Sequence, residues 1–232
     1  MPRVPLLIAL SLLAGCSGRA GSDAALNEEM AAIAEQRAPV PEKVFTDRWR
    51  QMFANPKAVV AAANDLGFLA GDYAAAGAQF RSDGAAQTAP RPGAPMTVVS
   101  DFAAIGSAAG QVDSIIFVFD ITRRAPVDER TEKELLKNPR RFVRGFLQRF
   151  QIGPDDRLIA GITAPKTVKF QDYGANVEVA DTKLPGGVGA GNHHLVVRLT
   201  RQGATPAAAP TPDIAPAATA TDNSAQIQSA RK

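Results

Sequence analysis

The sequence predicts a single two-layer α+β domain: an antiparallel sheet with helices packed on one face. Three observations predict it. Residues 114–122, Ser-Ile-Ile-Phe-Val-Phe-Asp-Ile-Thr, form a near-continuous apolar run, the pattern of a strand central in its sheet. Residues 96–102 alternate with valines, and only small residues (106–110) join the two runs. That connection is too short for a crossover, so the pair is antiparallel. Residues 142–150 place Phe142, Val143, Phe146, Leu147 and Phe150 on one helical face, with Arg140, Arg141, Arg144 and Gln148 on the other. Three phenylalanines on one helix call for a sheet beneath them.

The domain is expected over 44–201, and its elements follow in order. At 44–53, Phe45, Trp49 and Met52/Phe53 recur at helical spacing, which directs the sole tryptophan into the core. Asn55-Pro56 is a cap followed by proline at the first helical position, and Gly67 is a stop. Residues 68–80 read as strand or loop, and 82–95, rich in Gly, Pro, Ala and Gln, as an exposed loop. Residues 128–137 read as a helix, and Asn138-Pro139 opens the phenylalanine helix, which Gly153-Pro154 ends. Further strands are expected at 158–162, 167–171, 175–180 and 194–200, with a hairpin turn at Asp172-Tyr173-Gly174 and a glycine-rich loop at 183–192. The two Asn-Pro starts lie 83 residues apart, which permits an αββ–αββ duplication. Residues 202–232 are Ala, Pro, Thr, Ser and Gln with almost no large apolar side chain. They are expected to be a disordered tail.

The N-terminus supplies an address. Arg3 provides a positive start, 4–13 is an apolar run too short to span a bilayer, and Leu13-Ala14-Gly15-Cys16 follows. This layout resembles the lipobox of bacterial lipoproteins. The resemblance covers residues 1–17 and implies that 1–15 is a signal peptide and that Cys16 is acylated and becomes the new N-terminus. Several acyl chains would anchor the protein stably in a membrane. Ser17, where an aspartate favours inner-membrane retention, implies the outer membrane with the domain facing the periplasm. Residues 16–43 then form the acylated tether, partly helical over 25–37.

Loss of residues 1–15 removes Arg3 and no acid, leaving 25 basic against 23 acidic residues. That balance argues against a nucleic-acid partner. With its only cysteine used by lipid, the mature chain has neither disulfide nor thiol nucleophile. No cofactor motif is met. Asp120-Ile121-Thr122 ends an apolar strand as in haloacid-dehalogenase phosphatases, but the second acid is missing. Gly186 to Gly191 is glycine-rich without GxGxxG spacing or a following helix. His193 and His194 point to opposite faces if both lie in a strand, so they do not converge on one metal.

These observations predict a non-enzymatic envelope lipoprotein that presents a binding or scaffolding domain. Its basic helix, above all Arg140, Arg141 and Arg144, is the candidate face for an envelope protein or an anionic polymer or surface. The alternative is a periplasmic hydrolase or ligand-binding enzyme that uses His193 or His194 with remote carboxylates.

Overall fold

The computed structural model describes residues 41–86 and 93–207. The expected signal peptide, Cys16, the expected tether up to residue 40 and the expected tail from 208 lie outside them. Four helices and seven strands follow in order: α1 (Glu42–Phe53), α2 (Pro56–Asp65), β1 (Ala74–Ala76), β2 (Gln79–Ala85), β3 (Met96–Gly106), β4 (Ser114–Arg123), α3 (Glu129–Arg149), α4 (Asp156–Thr163), β5 (Val168–Asp172), β6 (Ala175–Leu184) and β7 (Asn192–Arg201). The strands form one antiparallel sheet in the order β1-β2-β3-β4-β7-β6-β5. The two-layer α+β architecture expected from the sequence is the one observed.

Setting aside the three-residue β1, the order is symmetric about the β4–β7 pair. Two helices and three strands (α1, α2, β2, β3, β4) are followed by two helices and three strands again (α3, α4, β5, β6, β7). The repeating unit is therefore ααβββ rather than αββ. The Asn-Pro pairs do not mark it: Asn55-Pro56 opens α2, whereas Pro139 lies inside α3.

Strand alternation divides the sheet into two faces. On one, Phe102, Ile115, Phe117, Phe119, Val177, Val179, Leu195, Val197 and Leu199 join side chains from all four helices in one core. Trp49, Phe53 and Phe146 are fully buried there, as the spacing of the aromatics in α1 and α3 predicts, and Phe68, from the chain after α2, joins them. Phe117 stands edge-on to Phe146, with centroids 5.2 Å apart. On the opposite face a second, smaller cluster gathers Ala103, Ile105, Ile116, Val118 and Val196.

Four expectations are corrected. The helices expected at 128–137 and from 139 are one helix, α3, with Pro139 inside it. Proline removes one backbone donor there, but its ring is buried, and Leu135 and Leu136 before it pack on the same core as Val143 and Phe146 beyond it. Continuous packing outweighs one missing hydrogen bond. Asp128 caps the helix by accepting from the Thr131 N–H at 2.9 Å. Its other end comes before Gly153, at Gln151, which has φ 57° while the Ile152 N–H reaches back to the Leu147 carbonyl.

The strand expected at 158–162 is helix α4. Asp155 accepts from the Arg157 N–H at 2.7 Å, and Leu158, Gly161 and Ile162 are buried at i, i+3 and i+4. A short apolar run does not itself separate strand from helix; the cap does.

The loop expected over 82–95 begins as strand, because β2 pairs with β3 through Ala85. Its small residues have a packing reason. A Cβ on Gly84 would lie 2.6 Å from the Ala70 Cα, so the chain at 68–70 crosses directly over this glycine.

Of the segment expected as a tail from residue 202, residues 202–207 are described: they turn back at the end of β7 and Ala207 packs on the sheet, while 208–232 lie outside the described residues. The Gln202 N–H donates to the Gly174 carbonyl at 3.0 Å and the Ala204 N–H to the Arg201 carbonyl at 3.0 Å. The turn at Asp172-Tyr173-Gly174 and the glycine-rich hairpin loop before β7 are found where the sequence places them.

Candidate functional site

The basic run 123–149 is not one uniform patch. Arg123 closes β4 on the helix-covered face and is buried. Its guanidinium bonds Glu132 Oε1 at 2.8 and 3.1 Å and also reaches the Gly191 carbonyl, and its own N–H donates to Asn192 Oδ1 at 2.7 Å. It staples the glycine-rich loop to α3 and is not a surface charge. Lys133 pairs with Glu129, Lys137 with Glu134 and Arg149 with Asp65.

Arg140, Arg141 and Arg144 differ. All three are exposed on the outer side of α3, at i, i+1 and i+4, and none forms an ion pair among the described residues. Beneath them Val143, Phe146 and Leu147 fix the helix on the core, so the guanidinium groups stand on a rigid support. The sequence places these three residues together, and the structure keeps them so.

The histidines part as predicted. His193 lies on the helix-covered face, its Nδ1 2.9 Å from Asp181 Oδ1 and its Nε2 3.0 Å from the Ala190 carbonyl. His194 lies on the opposite face and is 5% exposed, with Nδ1 2.6 Å from Asp120 Oδ1. Its Nε2 has no hydrogen-bond partner among the described residues. Each histidine therefore finds a carboxylate from another strand. Reading the sequence identifies neither carboxylate, although Asp120 and His194 share one face of neighbouring central strands. Among the described residues no three metal-ligating side chains come together.

Two concavities sit elsewhere. One, of about 740 Å³, lies between α2 and the β3–β4 connection, bounded by Asn55, Lys57, Asn64, Asp72 and Tyr73. Tyr73 donates to the Gln111 carbonyl at 2.7 Å; its burial, with the Asp113 charge nearby, pushes its pKa up to about 12. The other, of about 520 Å³, is bounded by Ser107, Asp113, Arg201 and the chain from Gly203 to Ala207. There burial pushes the Asp113 carboxyl up, but the Ser107 hydroxyl, Arg201 and the Ser107 N–H outweigh it and hold the group below the usual carboxylate range. Neither concavity contains His193 or His194.

Comparison with family models, curated proteins and solved structures found no match for this chain. Among the described residues no helix is long and apolar enough to cross a membrane.

Proposed function

We propose that the protein is a cell-envelope lipoprotein, anchored through acyl chains on Cys16 at the periplasmic face of the outer membrane. Its α+β domain acts as a binding or scaffolding module, and the outer side of α3 meets an acidic surface on a partner protein or anionic envelope polymer. One observation supports this reading above the rest: Arg140, Arg141 and Arg144 are exposed, adjacent and without an acidic partner among the described residues, on a helix whose Lys133, Lys137 and Arg149 have one and whose other unpaired cation, Arg130, stands apart in the first turn. Clustered charges of this kind steer an oppositely charged partner and set the salt dependence of its capture.

The test places a photo-crosslinking residue at Gln148, one turn beyond Arg144, in the acylated chain in membranes. Wild type yields a discrete adduct that weakens with added salt, and Arg140→Glu/Arg141→Glu/Arg144→Glu loses it. An adduct unaffected by the charge reversal would remove α3 from the reading. Separately, Cys16→Ala abolishes lipid labelling and membrane pelleting; retained pelleting overturns the anchor.

The hydrolase alternative draws on the His193–Asp181 and His194–Asp120 pairs. The binding reading leads because Arg140, Arg141 and Arg144 stand exposed together, whereas the two histidines are each turned onto a carboxylate of a neighbouring strand and lie on opposite faces of the sheet.

A further inference from the structure

The face of the sheet opposite the helices has an uneven burial pattern. Along the central β4–β7 pair, Ser114 stands opposite Thr200, Ile116 opposite Arg198, Val118 opposite Val196, and Asp120 opposite His194. Ile116 is 0% exposed, Val118 4% and Val196 4%, yet no described helix contributes to their cluster. Val99, on the same face of β3, is 38% exposed. The burial therefore covers a track along β4 and β7 and extends to Ala103 and Ile105 of β3, beside Ile116 and Ser114, while Val99 stays outside it.

Two further observations lie on that track. The buried side-chain nitrogens without a hydrogen-bond partner among the described residues are His194 Nε2 and Arg198 Nε, and they flank Val196 on β7. Buried polar atoms ordinarily have partners, so such a pair marks where acceptors or donors belong. The described chain also enters the track itself. After β7 it turns at Gly203 (φ 83°), and Ala207 packs on the Ile116–Val118–Val196 cluster while its N–H donates to Ser114 Oγ at 3.3 Å.

We propose that the chain beyond Ala207 continues along this track as an extended cover, making the open face of the sheet a groove for the protein's own Ala/Pro-rich segment. From Ser114 to Asp120 the track is about 20 Å long at roughly 3.3 Å per strand residue. A polyproline-type chain at about 3.1 Å per residue spans it in six or seven residues. That reach carries the sequence Ala-Ala-Pro-Thr-Pro-Asp-Ile from Ala208 to Ile214. Alanine and proline are thin enough to lie flat on Ile116, Val118 and Val196. The segment's carbonyls face Arg198 Nε, and the backbone N–H of Asp213 comes level with His194, whose Nε2 is left as an acceptor when Nδ1–H is given to Asp120. Proline at 210 and 212 lacks an amide donor, so the cover needs no strand partner.

The test uses thiol labelling in the full chain carrying Cys16→Ser, so that a single introduced cysteine is the only thiol. Val118→Cys reports the track and Val99→Cys the uncovered part of the same face. In the intact chain Val118→Cys reacts with maleimide at least tenfold more slowly than Val99→Cys. Deleting residues 208–232 brings the two rates together, and a synthetic peptide of residues 205–219 slows Val118→Cys again. Hydrogen exchange on α1 and α3 verifies that the deletion leaves the fold intact. Three outcomes overturn the proposal: labelling unchanged by the deletion; labelling accelerated instead by deleting residues 17–40, which makes the N-terminal segment the cover; or protection that depends on protein concentration, which makes it a second copy of the chain.

Discussion

His194 Nδ1 lies 2.6 Å from Asp120 Oδ1, a bond that ties the centre of the sheet together across 74 residues of sequence. The imidazole is almost wholly buried, so Asp120 answers a polar group that water does not reach. Asp120→Ala leaves that donor unpaired and is expected to cost about 1–3 kcal/mol. Urea denaturation measures the loss, and an unchanged midpoint would show that the pair contributes nothing to stability.

Asp113 gives the protein part of its acid sensitivity. Ser107 and Arg201 hold its carboxyl below the usual range against the opposing effect of burial. A depressed folded value means that this contribution is fully present above the ordinary carboxylate pKa of about 4 and drains away as pH falls through the folded value. Asp113→Asn is therefore expected to be less stable than wild type at neutral pH, with the gap closing as pH falls below about 4. Melting curves across the acid range follow the gap; one that stays constant down to full protonation rules the linkage out.

Gly84 is irreplaceable for steric reasons. A methyl group there would press on the backbone of Phe68 and Ala70, neither of which yields as a flexible side chain does. Gly84→Ala is expected to cost about 3 kcal/mol, at the upper end of overpacking effects. Gly110→Ala, where no atom lies within 4 Å, is the control and is expected to stay within about 0.5 kcal/mol of wild type. Comparable melting temperatures for the two variants would show that the crossing at 68–70 shifts freely.

Gln151 offers the reverse effect. It holds a left-handed conformation, φ 57°, at the end of α3, and its carbonyl accepts from Arg48 at 2.7 Å. Glycine keeps that carbonyl and relieves the Cβ crowding. Gln151→Gly is expected to stabilise the protein by about 1 kcal/mol, read as a rise of a few degrees in Tm. A fall in Tm would mean that the exposed glutamine side chain has a role of its own.

The parts of the fold legible in the sequence are those written in side-chain periodicity. The run 114–122 and the stripe from Phe142 to Phe150 each name their element, their buried face and their place against one another. The missed parts are set by contacts from distant chain. Gly84 and Ser82 look like loop residues until the chain at 68–71 explains them, Phe68 and Ala70 lying over Gly84 and the Gly71 carbonyl accepting from the Ser82 hydroxyl. Leu158 and Ile162 suit strand and helix alike, and a single cap at Asp155 decides between them. Pro139 looks like a start because its burial is tertiary. At the candidate site the three arginines are plain from spacing, whereas Arg123 belongs to the same run and is withdrawn by Glu132 and Gly191. The carboxylates of the two histidines come from other strands, beyond the reach of local pattern.

β7, the last strand among the described residues, sits in the middle of the sheet. Before residues 192–201 emerge, β4 has a bare edge and the β5–β6 hairpin has nothing to dock on. The two halves of the sheet are thus joined only when nearly the whole chain is available, and the joining contacts span long stretches of sequence, which slows closure. An unfinished chain stays pliable, with its apolar strands unsealed and open to chaperones. Placing the keystone last postpones the point at which the whole sheet closes.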